Sequence, residues 1–379
     1  MKYAIMESVV TPGGHEIDYD RILVEEITSL GHEVEFYVPE GHEFKWNYGV
    51  PVHFLSGEGV SYAGARGIKK AWLSAKREWN RQRWYKQMFG YALEKRFDAL
   101  IFPSATYRYL RAVRRSSLLQ SPLPIIFIIH GMTPEESVRL FSQAEQVKDR
   151  RNIRVAVQTF AKDLLPTDLP NIHYFNPPNY IPRDIPLEVS RTSPEVLKLG
   201  FFGQYRKEKN LDSFLDIYVS CDFKRPVRLL VQGATQTPQD GDDFERIIKK
   251  YQAYSDRIEF WHRPLIGKEW QQGIAGVDVL VVPYANPRYR YHTSAMLSNA
   301  IGFRKAIIIA DSINPEVLRD YKIGAAFPGG EMDRFKMILE QFVNTYDQKL
   351  DGYRQELEKA SIHFAPRRLV ENIVALAQE

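Results

Sequence analysis

The stretch "VDVLVVPYANPRYRYHTSAMLSNAIGFRKAIIIAD", Val277 to Asp311, decides the fold. It opens on a continuous apolar run, crosses a loop rich in Arg and Tyr, and closes on a second apolar run. Between them Met296, Leu297, Ala300 and Ile301 fall on one helical face. Strands apolar throughout, joined by a helix, belong to a parallel sheet covered on both faces. The spacing predicts a helix that begins near Thr293. Its unpaired N–H groups and the hydroxyls of Thr293 and Ser294 would suit a phosphate. Arg288 and Arg290 would attract that anion, and the loop carries no carboxylate to repel it. The other reading is that Thr293 or Ser294 only caps the helix.

Working outward, the same alternation covers most of the chain. The runs are "KYAIMES", "EVEFYVP", "DALIFPS", "PIIFIIHG", "IRVAVQT", "LKLGFFG", "VRLLVQG", "RIEFWHR", "VDVLVVPY" and "KAIIIAD". Five precede residue 160 and five follow residue 197. The Pro-rich stretch "PNIHYFNPPNYIPRDIPLEVSRTSPE" between the groups reads as an interdomain linker. The expected architecture is α/β, with two doubly wound, Rossmann-like domains at 1–185 and 186–363. The tail "APRRLVENIVALAQE" has helical spacing at Leu369, Ile373 and Leu376, and Pro366 suits a first helical turn.

Composition narrows the classes. A chain of 379 residues suits two domains. Its net charge of +4 is mild for that length and gives no ground for nucleic acid as a partner. The single cysteine, Cys221, allows no intramolecular disulfide and fits a reducing, cytoplasmic location. "MKYAIMESVV" lacks a long apolar segment and reads as a first strand rather than a signal peptide. No run approaches the length of a membrane span. No Cys/His cluster has metal-ligand spacing, so no metal is expected. There is no P-loop, nucleophile elbow or short-period repeat.

In open α/β sheets, ligands bind beyond the carboxyl ends of strands. Gly13 and Gly14 follow the first strand and precede a helix, which is either a plain turn or a place for close backbone approach to a ligand. After the sixth strand, Gly203 is followed by Arg206, Lys207 and Lys209, cations able to neutralise a diphosphate or simply a solvated charged loop. Tyr284 to Ser294 is the third such loop. Together they describe a place for a nucleotide diphosphate with something attached.

The order of these elements resembles the GT-B-fold glycosyltransferases of the "group 1" (family 4-like) superfamily over nearly the whole chain. "GGHEIDYDRILVEEITSLGHEV" is similar to that family's Gly-Gly loop, first helix and second strand, and "IIFIIHGM" to its strand–His–Gly element. "FFGQYRKEKNLDSFLDIY" resembles its G-R-x-x-x-x-K-G segment, with Gly203 and Lys209 in register. "RIEFWHRPLIGKEWQQGIAGVDVLVVPY" and "SNAIGFRKAIIIADSINPEVL" resemble its last two motifs, with Asp311 and Glu316 in register. The resemblance implies two Rossmann-like domains facing across a cleft, with the last helix, 364–379, packed back on the N-terminal domain. It implies retaining, metal-independent sugar transfer from a nucleotide-diphosphate sugar, with no cofactor, to a glycan or lipid-linked acceptor. By resemblance, Lys209 and Arg206 neutralise the leaving diphosphate and His130 lies at the transfer site. Gly13, Gly14, Gly203, Arg263, Tyr284, Arg290, Thr293, Ser294 and Glu316 then contact the donor. His130 equally suits a hydrogen-bonded histidine at a strand end.

Four positions depart from the family. Arg290 and Ser298 stand where two glutamates eight positions apart are usual, Gln204 replaces an Arg, and Asn210 replaces a Gly. The lost glutamates normally contact the donor's sugar and ribose. A catalytically silent subunit that binds a nucleotide sugar or scaffolds an assembly is therefore the alternative function.

The segment "ARGIKKAWLSAKREWNRQRWYKQMFGYALEKRF" carries ten Lys/Arg against two Glu, with Trp72, Trp79 and Trp84 interleaved. Two readings stand for 65–96: a surface lying on an anionic membrane, or a solvated helix whose tryptophans pack inward.

Overall fold

The computed structural model describes residues 1–9, 15–44, 46–60, 66–161, 163–164, 169–183, 185–187 and 195–379. Unit 1 comprises Met1–Pro177 and Pro366–Glu379, and unit 2 is Pro178–Ala365. Unit 1 is built on a parallel sheet of β1 (Lys2–Met6), β2 (Glu33–Glu40), β3 (Val52–Glu58), β4 (Ala99–Ala105), β5 (Ile125–Ile129), β6 (Ile153–Gln158) and β7 (Ile172–Phe175). Its strand order is β3-β2-β1-β4-β5-β6-β7. The connections carry α1 (His15–Ser29), α2 (Gly67–Leu93), α3 (Tyr107–Val113) and α4 (Pro134–Glu145).

Unit 2 repeats the plan with β8 (Leu197–Phe201), β9 (Val227–Gly233), β10 (Ile258–His262), β11 (Val279–Val282), β12 (Ala306–Ala310) and β13 (Gly324–Phe327). The order is β10-β9-β8-β11-β12-β13, again all parallel. Its helices are α5 (Leu211–Ser220), α6 (Pro238–Lys250), α7 (Lys268–Ala275), α8 (Ala295–Gly302), α9 (Pro315–Asp320) and the long α10 (Met332–His363). The central strands β5, β11 and β12 are buried at every residue, as continuous apolar runs require.

Two expectations need correction. Three strands, β3, β7 and β13, were not legible as apolar runs, and β7 lies inside the stretch read as linker. The chain passes between units at Pro177/Pro178, and residues 178–185 belong to unit 2. Hydrogen bonds hold them there: Asn179 N–H to the Phe364 carbonyl at 2.8 Å, the Asn179 amide to the Ser361 carbonyl at 2.8 Å, and Tyr180 N–H to the Ser298 carbonyl at 3.1 Å. Gly302 permits this, since a Cβ there would fall 2.0 Å from the Tyr180 carbonyl oxygen.

The final helix, α11 (Pro366–Gln378), belongs to unit 1. It packs on α1 and buries Leu369, Val370, Ile373 and Leu376, while the Arg367 guanidinium donates to the Ser29 hydroxyl at 2.8 Å.

The basic helix α2 divides its tryptophans. Trp84 is buried, and its indole N–H donates to the Gly57 carbonyl at 3.0 Å. Trp72 and Trp79 are 61% and 71% exposed, on one stripe with the exposed Ile68, Arg83 and Lys86. No described helix is long and apolar enough to cross a membrane.

Candidate functional site

Each sheet reverses its strand order once, between β1 and β4 in unit 1 and between β8 and β11 in unit 2. Such a switch point opens a crevice at the carboxyl ends of its two strands. In unit 2 the chain leaves β8 through Gly203, at φ +108°, a conformation that a side chain would strain. Its N–H donates to the Gln232 side-chain oxygen at 2.9 Å, and the Gln232 amide donates to the Arg263 carbonyl at 2.6 Å. One buried glutamine thus ties together the ends of β8, β9 and β10.

After Gly203 the chain makes a short turn over Lys207–Lys209 and enters α5 through Asn210, at φ 54°. Asn tolerates this left-handed geometry better than other side chains, so Asn210 can stand where the family pattern has Gly. The turn brings Lys209 back over the strand ends. Its Nζ lies 3.2 Å from where a Gly203 Cβ would be, 5.8 Å from the Phe201 ring centroid and 5.6 Å from the Tyr284 ring centroid. No hydrogen bond or ion pair holds the ammonium among the described residues. Burial first, then the nearby Arg206 charge, lowers its pKa to about 8 against a smaller opposing effect of Glu208. Tyr284, which follows β11, is buried, and its hydroxyl is pushed well above the usual range by that burial.

The remaining candidates divide. Arg206 is exposed, 3.4 Å from the Gln204 side-chain oxygen and 3.8 Å from Glu208. The Arg263 guanidinium turns to Glu269 at 3.1 Å, and only its carbonyl joins the Gln232 bridge. Ser294 caps α8: its hydroxyl accepts from Leu297 N–H at 3.4 Å, and its own N–H donates to the Asn314 side chain at 2.9 Å. The Thr293 hydroxyl is buried and unfilled. Arg290 meets Glu316 at 2.5 Å, leaving the other Glu316 oxygen buried without a partner, as is the Ser312 hydroxyl. The loops after β11 and β12 therefore present unfilled hydrogen-bonding capacity, uncommon in folded proteins unless a ligand or water completes it.

In unit 1, His130 Nε2 donates to the Pro103 carbonyl at 2.7 Å, and the ring stands edge-on to Tyr19 with centroids 4.3 Å apart. One nitrogen is therefore committed to backbone. Gly13 and Gly14 lie outside the described residues. Sequence reasoning missed Gln232, whose only signal is a polar residue ending an apolar run. It also missed Glu7, just past β1. Glu7 is 1% exposed, and burial raises its carboxyl to about 7 despite hydrogen bonds from Val9 and Ser104.

Two parallel, Rossmann-like units of this order define the GT-B fold. No family model matches the sequence, and no curated protein does. Solved structures similar over nearly the whole chain include HepE of Anabaena in complex with UDP, at 14% identity, 99% of each chain covered and a TM-score of 0.69. Sucrose-phosphate synthase from Thermosynechococcus elongatus matches at 13% identity over 100% of this chain and 98% of that one, with a TM-score of 0.66. WaaG, a glycosyltransferase involved in lipopolysaccharide biosynthesis, matches at 13% identity over 98% and 99%, with a TM-score of 0.64. At these identities the likeness shows the fold, and the chain is a GT-B protein.

Proposed function

We propose that this chain is a glycosyltransferase, with unit 2 holding a nucleotide-diphosphate sugar and unit 1 a glycan or lipid-linked acceptor. The observation that carries the reading is Lys209. It is an ammonium with no carboxylate or carbonyl partner among the described residues, at the switch point of the unit 2 sheet beneath an obligatory glycine. A half-buried cation without a partner is costly unless a ligand supplies the counter-charge. A diphosphate does so, and its charge grows as the bond to the sugar breaks, which is when Lys209 and Arg206 stabilise it most. A departing phosphate oxygen takes the acceptor's proton, so no strong protein base is required; retention and independence of metal are carried over from the resemblance to the group 1 glycosyltransferases. HepE structures hold UDP and UDP-glucose, which makes UDP-glucose the first donor to try. Isothermal titration with UDP and GDP, then transfer assays with and without chelator, test the reading. Wild type is expected to bind a nucleoside diphosphate and Lys209→Ala to lose it with its fold intact. Undiminished turnover by Lys209→Ala, or abolition of activity by chelator, refutes that mechanism.

The Arg290–Glu316 pair supports a second reading. It places a guanidinium where the resembled family has a glutamate, and it engages one oxygen of Glu316. A silent subunit would bind nucleotide sugar and release no sugar, so product analysis separates the two.

The exposed stripe of Ile68, Trp72 and Trp79, continued by Arg83 and Lys86, supports docking of α2 on an anionic membrane, at its cytoplasmic face. Flotation with anionic vesicles tests it, and absence of binding removes the idea.

A further inference from the structure

The switch point of unit 1 carries buried carboxyl groups that the mechanism above does not use. Glu7 leaves β1 at the switch point, its N–H bonded to the Tyr37 carbonyl at 3.0 Å. Its Oε1 accepts Val9 N–H at 2.6 Å, and Ser104, on the neighbouring β4, hydrogen-bonds the same carboxyl. Its Oε2 is buried with no partner. Facing it from α1, Asp20 is 2% exposed, and its Oδ1 is likewise buried and unfilled. Glu16 adds a third carboxyl within electrostatic reach of both. The adjacent cation, Arg21, is drawn to Asp18 at 3.4 Å and Glu25 at 3.0 Å. Beside Glu7, Ser8 and Tyr109 share a hydrogen bond, and the Arg81 guanidinium lies 4.5 Å from the Tyr109 ring centroid.

Buried acceptors without donors are rare, and here two from different elements occur at one switch point. Among the described residues neither meets a cation, and burial raises both carboxyls, so each holds its proton more readily than an exposed acid. Such a place favours a group that donates hydrogen bonds and carries no negative charge.

We propose that this crevice is the acceptor subsite, and that it takes the hydroxyls of an uncharged sugar, which donate to Glu7 Oε2 and Asp20 Oδ1. The inference rests on the glycosyl-transfer reading only in naming that sugar the acceptor. It divides two classes that reading leaves open. A sugar hydroxyl finds unfilled carboxyl oxygens waiting, whereas a lipid phosphate finds no counter-charge facing them among the described residues.

The test uses the full-length chain. Methyl α-D-glucopyranoside, methyl α-D-galactopyranoside, methyl α-D-mannopyranoside and dodecyl phosphate are titrated by saturation-transfer NMR, with UDP affinity measured in parallel. At least one methyl glycoside is expected to bind, and Glu7→Gln and Asp20→Asn each to weaken it about tenfold. Dodecyl phosphate is expected not to compete, and UDP affinity to stay unchanged in both variants. Ser104→Ala, which removes a hydroxyl holding Glu7, gives a second measurement should an acid-site variant fail to fold, and is expected to weaken the glycoside. Glycoside binding indifferent to these variants, binding of no glycoside, or dodecyl phosphate displacing the glycoside overturns the proposal. A wild type that binds a glycoside but no nucleoside diphosphate sinks the transfer reading while leaving this subsite standing.

Discussion

Lys209 is where the unit 2 site and the stability of the chain pull against each other. Its folded pKa, about 8, lies below the ordinary 10.5. Between those values the unfolded chain holds more protons, so stability rises with pH across that window and is lowest, for this residue, below pH 8. Lys209→Met removes the half-buried charge. Melting at pH 7 is expected to move up by a few degrees, on the order of 1–2 kcal/mol after allowing for a partly wetted head group. The gain should shrink toward pH 10, and nucleotide binding should be lost throughout. A diphosphate needs the charged lysine, so wild-type affinity should fall above pH 8 and binding there should take up a proton. Titrations in two buffers of different ionisation enthalpy measure it. Glu7 is the mirror case, raised from 4.5 to about 7. The folded chain keeps its proton longer, so this contribution is complete below pH 4.5 and lost as pH rises through 7. Glu7→Gln should flatten that fall and leave the variant more stable than wild type at pH 8, by ~1–3 kcal/mol in urea denaturation. A variant less stable at pH 8 would show that Glu7 is needed as a carboxylate. Of these two groups only Lys209 was legible in the sequence, because cations after a strand-ending glycine stand out. Glu7 reads as the tail of a strand until α1 and β4 close around it.

At the level of elements, every strand that escaped notice lies at a sheet edge, although the edge strand β10 was legible too. The strands β5, β11 and β12 are apolar at every position because both faces and both edges are covered, and a continuous run betrays them. The strands that escaped, β3, β7 and β13, are all at sheet edges. Their burial is partial: β7 has one fully buried residue, Ile172, and β3 exposes Phe54 at 58%. Half-buried four-residue segments carry too little pattern to separate from a linker, and prolines just after β7 strengthen that misreading. The helix α8 shows the same limit. Its apolar face was legible, but which of the two candidate caps, Thr293 or Ser294, is used was not; the cap is Ser294, whose N–H is fixed by Asn314 from a distant loop. In α2 the tryptophans look alike in sequence and diverge in the fold, which sets a paired prediction. Trp84→Ala removes a fully buried indole with its bond to Gly57 and should cost roughly 3–5 kcal/mol in urea denaturation. Trp79→Ala should change stability by less than about 0.5 kcal/mol while weakening flotation with anionic vesicles. Equal destabilisation by both would mean the exposed stripe is part of the packing.

For the molecule as a whole, the two units differ in how the chain builds them. Unit 2 is one continuous segment, Pro178–Ala365, and contains every donor-side residue from Gly203 to Glu316. Unit 1 is composite, since α11 returns after unit 2 is finished and its apolar face is buried in part on α1. Each buried Leu, Ile or Val on α11 is worth about 1.5–3 kcal/mol, against a typical whole-domain stability of only about 5–15 kcal/mol. Removing the tail should therefore cripple unit 1 and leave unit 2 intact. A fragment of residues 178–365 is expected to melt cooperatively and to bind the same nucleoside diphosphate as the full chain within about tenfold. A fragment of residues 1–177 should be unfolded or aggregated by circular dichroism and size exclusion, and recover when 366–379 is fused to it through a flexible linker. If residues 178–365 fold but lose the nucleotide, the binding energy comes from residues outside unit 2, and the assignment of the donor to Lys209 and its neighbours fails even though the fold stands.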